Sequence, residues 1–213
     1  MSDTEPCILT GGPPPESARA GVILLHGRGG RAEGMLTISH LLNVPGISYV
    51  APQANGGQWY PESGRAPLER NLPQLMESFK FISAILDALA ERGIRGSNTM
   101  VIGFSQGACV AVEYALRNPG RIGALAALSG GLMGSEGTGW EYMPGHLLGL
   151  PVYMGSSAED PYITRQRAVD TARVLAAAGA SVRCDIFPGS EHTVNDNQIA
   201  VMRLMIESLA VQS

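Results

Sequence analysis

The sequence predicts an α/β fold: an open, mostly parallel central sheet flanked by helices, with no separate cap domain. Three observations carry this prediction. Short apolar runs alternate with longer amphipathic stretches through all 213 residues. Several of the short runs are almost continuously apolar, as strands covered on both faces must be. A glycine-flanked serine follows the third run, and a helix of small residues begins directly behind it.

In chain order, the expected strands are Val22–Leu25, Ile47–Ala51, Thr99–Ile102, Ala124–Leu128, Pro151–Met154 and Val182–Phe187. The first twenty or so residues read as an edge segment of one domain spanning 1–213, a length that suits one core better than two. Leu75, Phe79, Ile82, Leu86 and Leu89 recur at steps of three and four, which predicts a helix over Leu72–Glu91 with one buried stripe. Pro73 falls in its first turn, where a missing N–H costs little. Thr164 can cap a helix over Arg165–Ala178 that Gly179 stops. Gln198–Ala210 closes the chain. Two long loops remain, Gln53–Arg70 and Gly130–Gly149, and long loops beside a parallel sheet often form binding sites.

Composition narrows the function classes. Hydrophobic residues make up 45% and charged ones 16%, enough for a core and too apolar for disorder. The formal net charge is −4 and no basic stripe is visible, which argues against a nucleic-acid partner. Residues 1–21 lack the charged-then-apolar layout of a signal peptide, and the most apolar stretch, Ile122–Met133, is too short to span a bilayer. Cys7, Cys109 and Cys184 have no metal-ligand spacing and read as free thiols in a reducing cytoplasm. No cofactor and no metal are expected; a homodimer stays open.

The chemistry centres on Gly103-Phe104-Ser105-Gln106-Gly107. A serine hydroxyl is a poor nucleophile unless the backbone holds it out toward a base. A sharp strand-to-helix turn does so, and glycines two residues either side relieve the crowding. The bland alternative is a serine that only caps the helix. In this type of turn the acid and then the histidine follow the serine. Of the histidines after Ser105, His146 lies in a long loop, whereas His192 follows the last strand and can reach over the strand ends as general base. Asp160, after the preceding strand, is the preferred acid, with Glu159 as its alternative; Asp170 and Asp196 read as surface charges. Cys109 reads as core.

Gly27, Gly29 and Ala32 match a dinucleotide-binding fingerprint, but that fingerprint needs an acid near the end of the second strand. Ala51-Pro52-Gln53 stands there instead. An oxyanion loop fits better: Gln106 and Arg28 would each supply a main-chain N–H. His26 reads as structural. Trp59, Tyr60, Trp140, Tyr142 and Met143 lie in the long loops, with Met35 and Leu36 behind the oxyanion loop. If the loops meet above Ser105, Trp59, Tyr60, Met35, Trp140 and Tyr142 would line an apolar substrate pocket.

At these residues the chain resembles the phospholipase/carboxylesterase family, which includes acyl-protein thioesterases and small bacterial carboxylesterases. The matching segments are Leu24-Leu25-His26-Gly27-Arg28-Gly29-Gly30, Ala51-Pro52-Gln53 with Trp59-Tyr60-Pro61, Gly103 to Gly107, Leu128-Ser129-Gly130-Gly131, Asp160-Pro161, and Phe187 to Thr193. The resemblance implies an uncapped α/β-hydrolase fold that cleaves carboxylic esters or thioesters without metal or cofactor. It implies catalytic roles for Ser105, Asp160 and His192, oxyanion roles for Arg28 and Gln106, and a pocket entrance at Trp59 and Tyr60. Tyr162 and Thr164 stand where relatives often carry histidine and proline, a departure at the pocket rim. Two other readings use the same residues: an acyl-thioesterase or lysophospholipase, and a ligand receptor that keeps an idle triad.

Overall fold

The computed structural model describes residues 7–140 and 143–211. Its sheet has seven strands: β1 (Ile8–Gly11), β2 (Ala20–Leu25), β3 (Ile47–Pro52), β4 (Thr99–Phe104), β5 (Ala124–Leu128), β6 (Pro151–Ser157) and β7 (Ser181–Phe187). Their order is β1-β3-β2-β4-β5-β6-β7. Every neighbouring pair is parallel except the edge strand β1 with β3, which is antiparallel. This is the α/β-hydrolase arrangement.

The apolar runs are continuous because each strand feeds two cores. In β2, Ile23 and Leu25 face one side while Ala20, Val22 and Leu24 face the other. The same alternation sends Val101 of β4 one way and Met100 and Ile102 the other. On the first side lie α2 (Leu72–Glu91), α3 (Gln106–Arg117) and α4 (Arg165–Ala177), which contribute Leu75, Ile82, Val112 and Leu175. On the second lie α1 (Ala32–Leu42) and α5 (Asp196–Val211), with Met35, Leu42, Met202 and Ile206.

Two helices differ from expectation. α1 was not among the helices expected, although Met35, Ile38 and Leu42 recur at helical steps and are buried. No side chain caps this helix locally; the Ala32 N–H instead donates to Gln53 Oε1, 2.9 Å away and 21 residues on. The helix is therefore nucleated by tertiary structure, and its start carries no local signal. At α5 the signal was present. Asn195 and Gln198 form a reciprocal capping box, each side-chain oxygen accepting from the other's N–H at 3.0 and 2.9 Å, so the helix begins at Asp196.

The chain order reverses between β2 and β4: β2 leads through α1 to β3 on one side, and everything after β4 builds outward on the other. Such a switch point opens a crevice at the carboxyl ends of the strands. Among the described residues no helix is long and apolar enough to cross a membrane.

Candidate active site

Ser105 stands at that crevice, between the last residue of β4 and the first of α3. Its backbone is forced to φ 54° and ψ −116°, a region that costs a non-glycine residue roughly 1–3 kcal/mol. The surrounding fold imposes the bend. Ser105 N–H donates to Leu128 O at the end of β5 (2.8 Å), and Ser105 O accepts from Ala108 and Cys109 in the first turn of α3. Gly103 and Gly107 make the bend possible: a Cβ on Gly103 would collide with the Gly107 carbonyl, and one on Gly107 with the carbonyl of Leu25. Ser105 does not cap α3 with its side chain, which removes the bland reading of this residue.

Asp160 and His192 come from the ends of β6 and β7. His192 Nδ1–H donates to Asp160 Oδ2 at 2.8 Å, leaving Nε2 as the nitrogen with a free lone pair. Asp160 is buried, and its other oxygen accepts the N–H groups of Tyr162 (2.9 Å) and Ile163 (3.0 Å). Burial raises the carboxyl pKa, but the His192 bond and the two backbone donors outweigh it and hold Asp160 below its usual value. Glu159 is exposed; its N–H donates to Gly189 O, and its carboxylate has no hydrogen-bond partner among the described residues. The geometry thus pairs the imidazole with Asp160. His192 is held between Phe104 and Tyr162, at 4.8 and 4.7 Å between ring centroids, and Ser157 Oγ donates to Glu191 O to fix the loop beneath it. Tyr162 is therefore a wall of the imidazole slot.

Ser105 and His192 line one cleft of about 850 Å³. No hydrogen bond joins Ser105 Oγ to the imidazole in this state; such contacts commonly close when substrate binds. Gly27, Arg28 and Gln106 also line the cleft, and the backbone N–H groups of Arg28 and Gln106 have no acceptor among the described residues. Two unpaired donors beside a strained serine can stabilise a developing oxyanion.

Sequence reasoning missed what fixes these donors, because each fixing contact spans tens of residues. The Arg28 guanidinium donates to Gln58 Oε1 (2.7 Å) and to the carbonyls of Tyr60, Pro61 and Glu62, pinning the oxyanion loop to the first long loop. The Gln106 side chain accepts from Trp59 N–H (2.9 Å) and donates to Tyr60 O (2.8 Å). His26 is structural as expected: it is buried, Nδ1 meets Gly27 O at 2.7 Å and Nε2 accepts from Ala54 N–H at 3.1 Å.

The two long loops do meet, through Gly134 N–H to Gly64 O at 2.9 Å. Of the expected pocket residues, Tyr60 and Trp140 line the cleft. Two others do not. Trp59 is 1% exposed and packs in the core, its ring held there by the bond from Nε1–H to His26 O. Met35 points from α1 into the opposite core. Tyr142 lies outside the described residues. The cleft wall also includes Arg65, Cys109, Leu132, Ile163 and Arg167, none of which was expected there. No cluster of metal-ligating side chains occurs among the described residues.

The His26 environment predicts a pH dependence of stability. Burial holds its pKa below the ordinary 6.5, against the bond to Gly27 O. The unfolded chain then takes up a proton first as pH falls, so stability is full above pH 6.5 and declines below it, until the depressed folded value is reached. Urea unfolding from neutral pH down to pH 5 should show that decline, and His26→Gln should flatten it. Asp160 acts lower: its contribution is full above 3.8 and is lost as pH falls through its depressed folded value.

Comparison with known proteins adds to this geometry. Residues 12–210 match the family model for phospholipase/carboxylesterase. The chain is 26% identical over 216 residues to acyl-protein thioesterase 1 of Candida albicans, covering 91% of this chain and 93% of that one. It is 23% identical over 204 residues to lysophospholipase-like protein 1 of Mus musculus, covering 88% and 85%. A phospholipase/carboxylesterase structure from Dyadobacter fermentans superposes with a TM-score of 0.87 at 30% identity, covering 97% of this chain and 99% of that one.

Proposed function

We propose, from the premise that this chain belongs to the phospholipase/carboxylesterase family and is a serine hydrolase, that it cleaves small to medium carboxylic esters through an acyl-enzyme on Ser105. The observation that carries the reading is the 2.8 Å Asp160–His192 contact in a cleft shared with the strained Ser105.

In this mechanism His192 Nε2 takes the Ser105 proton as Oγ bonds to the ester carbonyl carbon. The carbonyl electron pair moves onto oxygen, which the Arg28 and Gln106 N–H groups receive. Collapse of that intermediate breaks the bond to the alcohol, which leaves with the proton from Nε2. Water then attacks the acyl carbon, gives its proton to Nε2, and Ser105 recovers it as the acid departs. Asp160 stays ionised throughout. It fixes the tautomer that leaves Nε2 free and stabilises the imidazolium formed in each half-reaction.

Asp160→Asn against Glu159→Gln tests the assignment of the acid. Asp160→Asn keeps the shape but reverses the donor pattern facing Nδ1, and kcat on p-nitrophenyl butyrate should fall about 10³-fold or more. Glu159→Gln should change kcat less than about twofold, since its carboxylate is exposed. Equal losses, or a larger loss in Glu159→Gln, would overturn the assignment. A second reading, hydrolysis of acyl thioesters by the same residues, is supported by the thioesterase names of several relatives. Comparing kcat/KM for matched oxygen esters and thioesters separates the two.

A further inference from the structure

The cleft lining includes two guanidinium groups that the reaction does not use. Arg65 comes from the first long loop and Arg167 from the first turn of α4. Arg167 is held in place: Nη1 donates to Leu132 O at 3.2 Å, and its guanidinium carbon lies 4.9 Å from the centre of the Trp140 ring. That leaves most of its donors without an acceptor among the described residues. The Arg65 guanidinium has no carboxylate and no hydrogen-bond acceptor among them at all.

Glu62, Glu136 and Asp170 line the same cleft, but none of them forms an ion pair with either guanidinium. Glu62 pairs with Arg70 at 3.5 Å. Asp170 accepts from Gln166 at 2.8 Å and pairs with Arg173 at 3.3 Å. Glu136 is exposed, and it reaches Arg167 only as a distant charge, as Asp170 does. Burial first, then the like charge of Arg65, lower the Arg167 pKa, against smaller opposing effects of Cys109, Asp170 and Glu136. The N-terminus of α4, where Thr164 caps and also lines the cleft, adds positive potential at the same place. Two like charges kept together in a partly enclosed cleft are costly until an anion enters, and guanidinium groups suit carboxylates through paired N–H donors.

From this arrangement we propose that the preferred substrates are esters carrying a carboxylate away from the scissile bond, which Arg65 and Arg167 receive while Leu132 and Ile163 contact the apolar chain between. The inference rests on the esterase reading and names its substrate class. It also gives Thr164 a consequence, since threonine caps the helix end that faces the anion.

The test compares matched charged and neutral esters on the full-length protein. Ethyl hydrogen adipate against ethyl hexanoate places the carboxylate on the acyl side; para-acetoxybenzoate against phenyl acetate places it on the alcohol side. In one of the two pairs the charged ester should have the higher kcat/KM by about tenfold or more, with the preference falling as salt is added. Arg65→Gln should reduce that charged-to-neutral ratio roughly fivefold, and Arg65→Glu should take it below one. Arg65 is exposed, so neither change threatens folding; Arg167→Gln, which touches the Trp140 loop, is read only by the same ratio. Ratios near one in both pairs, or a ratio that Arg65→Glu leaves unmoved, would overturn the proposal while leaving the esterase reading intact. Hydrolysis of the neutral esters undiminished in Ser105→Ala would instead remove the reading beneath it.

Discussion

Ser105→Ala is expected to reduce kcat on p-nitrophenyl butyrate by about 10⁴-fold or more, with the fold unchanged. The side chain removed forms no hydrogen bond within the described protein, and alanine meets the same backbone strain at φ 54° that serine does. Stability should therefore hold while the covalent step disappears. Residual turnover would come from the Arg28 and Gln106 donors and from binding alone. His192→Ala should lose a comparable amount. The double variant should lose little more than either single one, because nucleophile and base act as a unit. Circular dichroism and thermal midpoints of the variants provide the control.

The second large effect is structural. Gly107→Ala adds one methyl group, yet its Cβ would run into the carbonyls of Leu25 and His26, which are backbone atoms at the end of a central strand. They cannot rotate aside as a flexible side chain could. Either α3 moves away from β2 or the end of β2 distorts, at a cost of about 3 kcal/mol or more. For a chain of this size that lowers the melting temperature by roughly 6–12 °C. Activity should suffer further. The shift carries the Gln106 N–H and Ser105 with it, and displacements near 1 Å cost roughly 100-fold in rate. Gly34→Ala is the contrasting variant: beyond its own helix's backbone nothing lies within 4 Å of the added Cβ, so activity should be unchanged and stability should hold or rise by up to about 1 kcal/mol.

Much of this site was legible because its residues sit at strand ends. Once the apolar runs are placed, the serine after β4, the carboxylate after β6 and the imidazole after β7 follow from chain order, and the structure brings Asp160 and His192 to 2.8 Å. The alternation of core-facing residues along β2 and β4 explains why those runs could be seen at all. What the sequence concealed is where loop side chains turn. Trp59 and Tyr60 are neighbours in one loop, yet one ring lies under the oxyanion loop and the other faces the cleft. No periodicity governs residues in a loop, so the choice is made by distant partners: Gln106, Ser78 and the carbonyl of His26. The same holds for α1, whose first turn depends on Gln53. Arg65 and Arg167 were invisible as a pair because 102 positions separate them, and only the folded chain brings them to one cleft.

The network behind the oxyanion donors also suggests how rigidity is achieved in a cleft built from loops. Arg28 is tied to the 58–62 segment, Gln106 to Trp59 and Tyr60, and Asn71 accepts from Glu62 N–H at 2.9 Å and donates to Ser63 O at 3.0 Å. Donors fixed in this way need little reorganisation when charge develops on the substrate oxygen.

If Ser105 is the nucleophile and His192 its base, a reactive phosphonate should be captured at Ser105. The most direct measurement is to treat the native protein with an alkyl fluorophosphonate and locate the adduct by peptide mass spectrometry. One phosphonyl group per chain on the peptide containing Ser105, with labelling lost in Ser105→Ala and slowed in His192→Ala, is the result this account predicts. An adduct on any other side chain, or rapid labelling that survives the loss of Ser105, would contradict it.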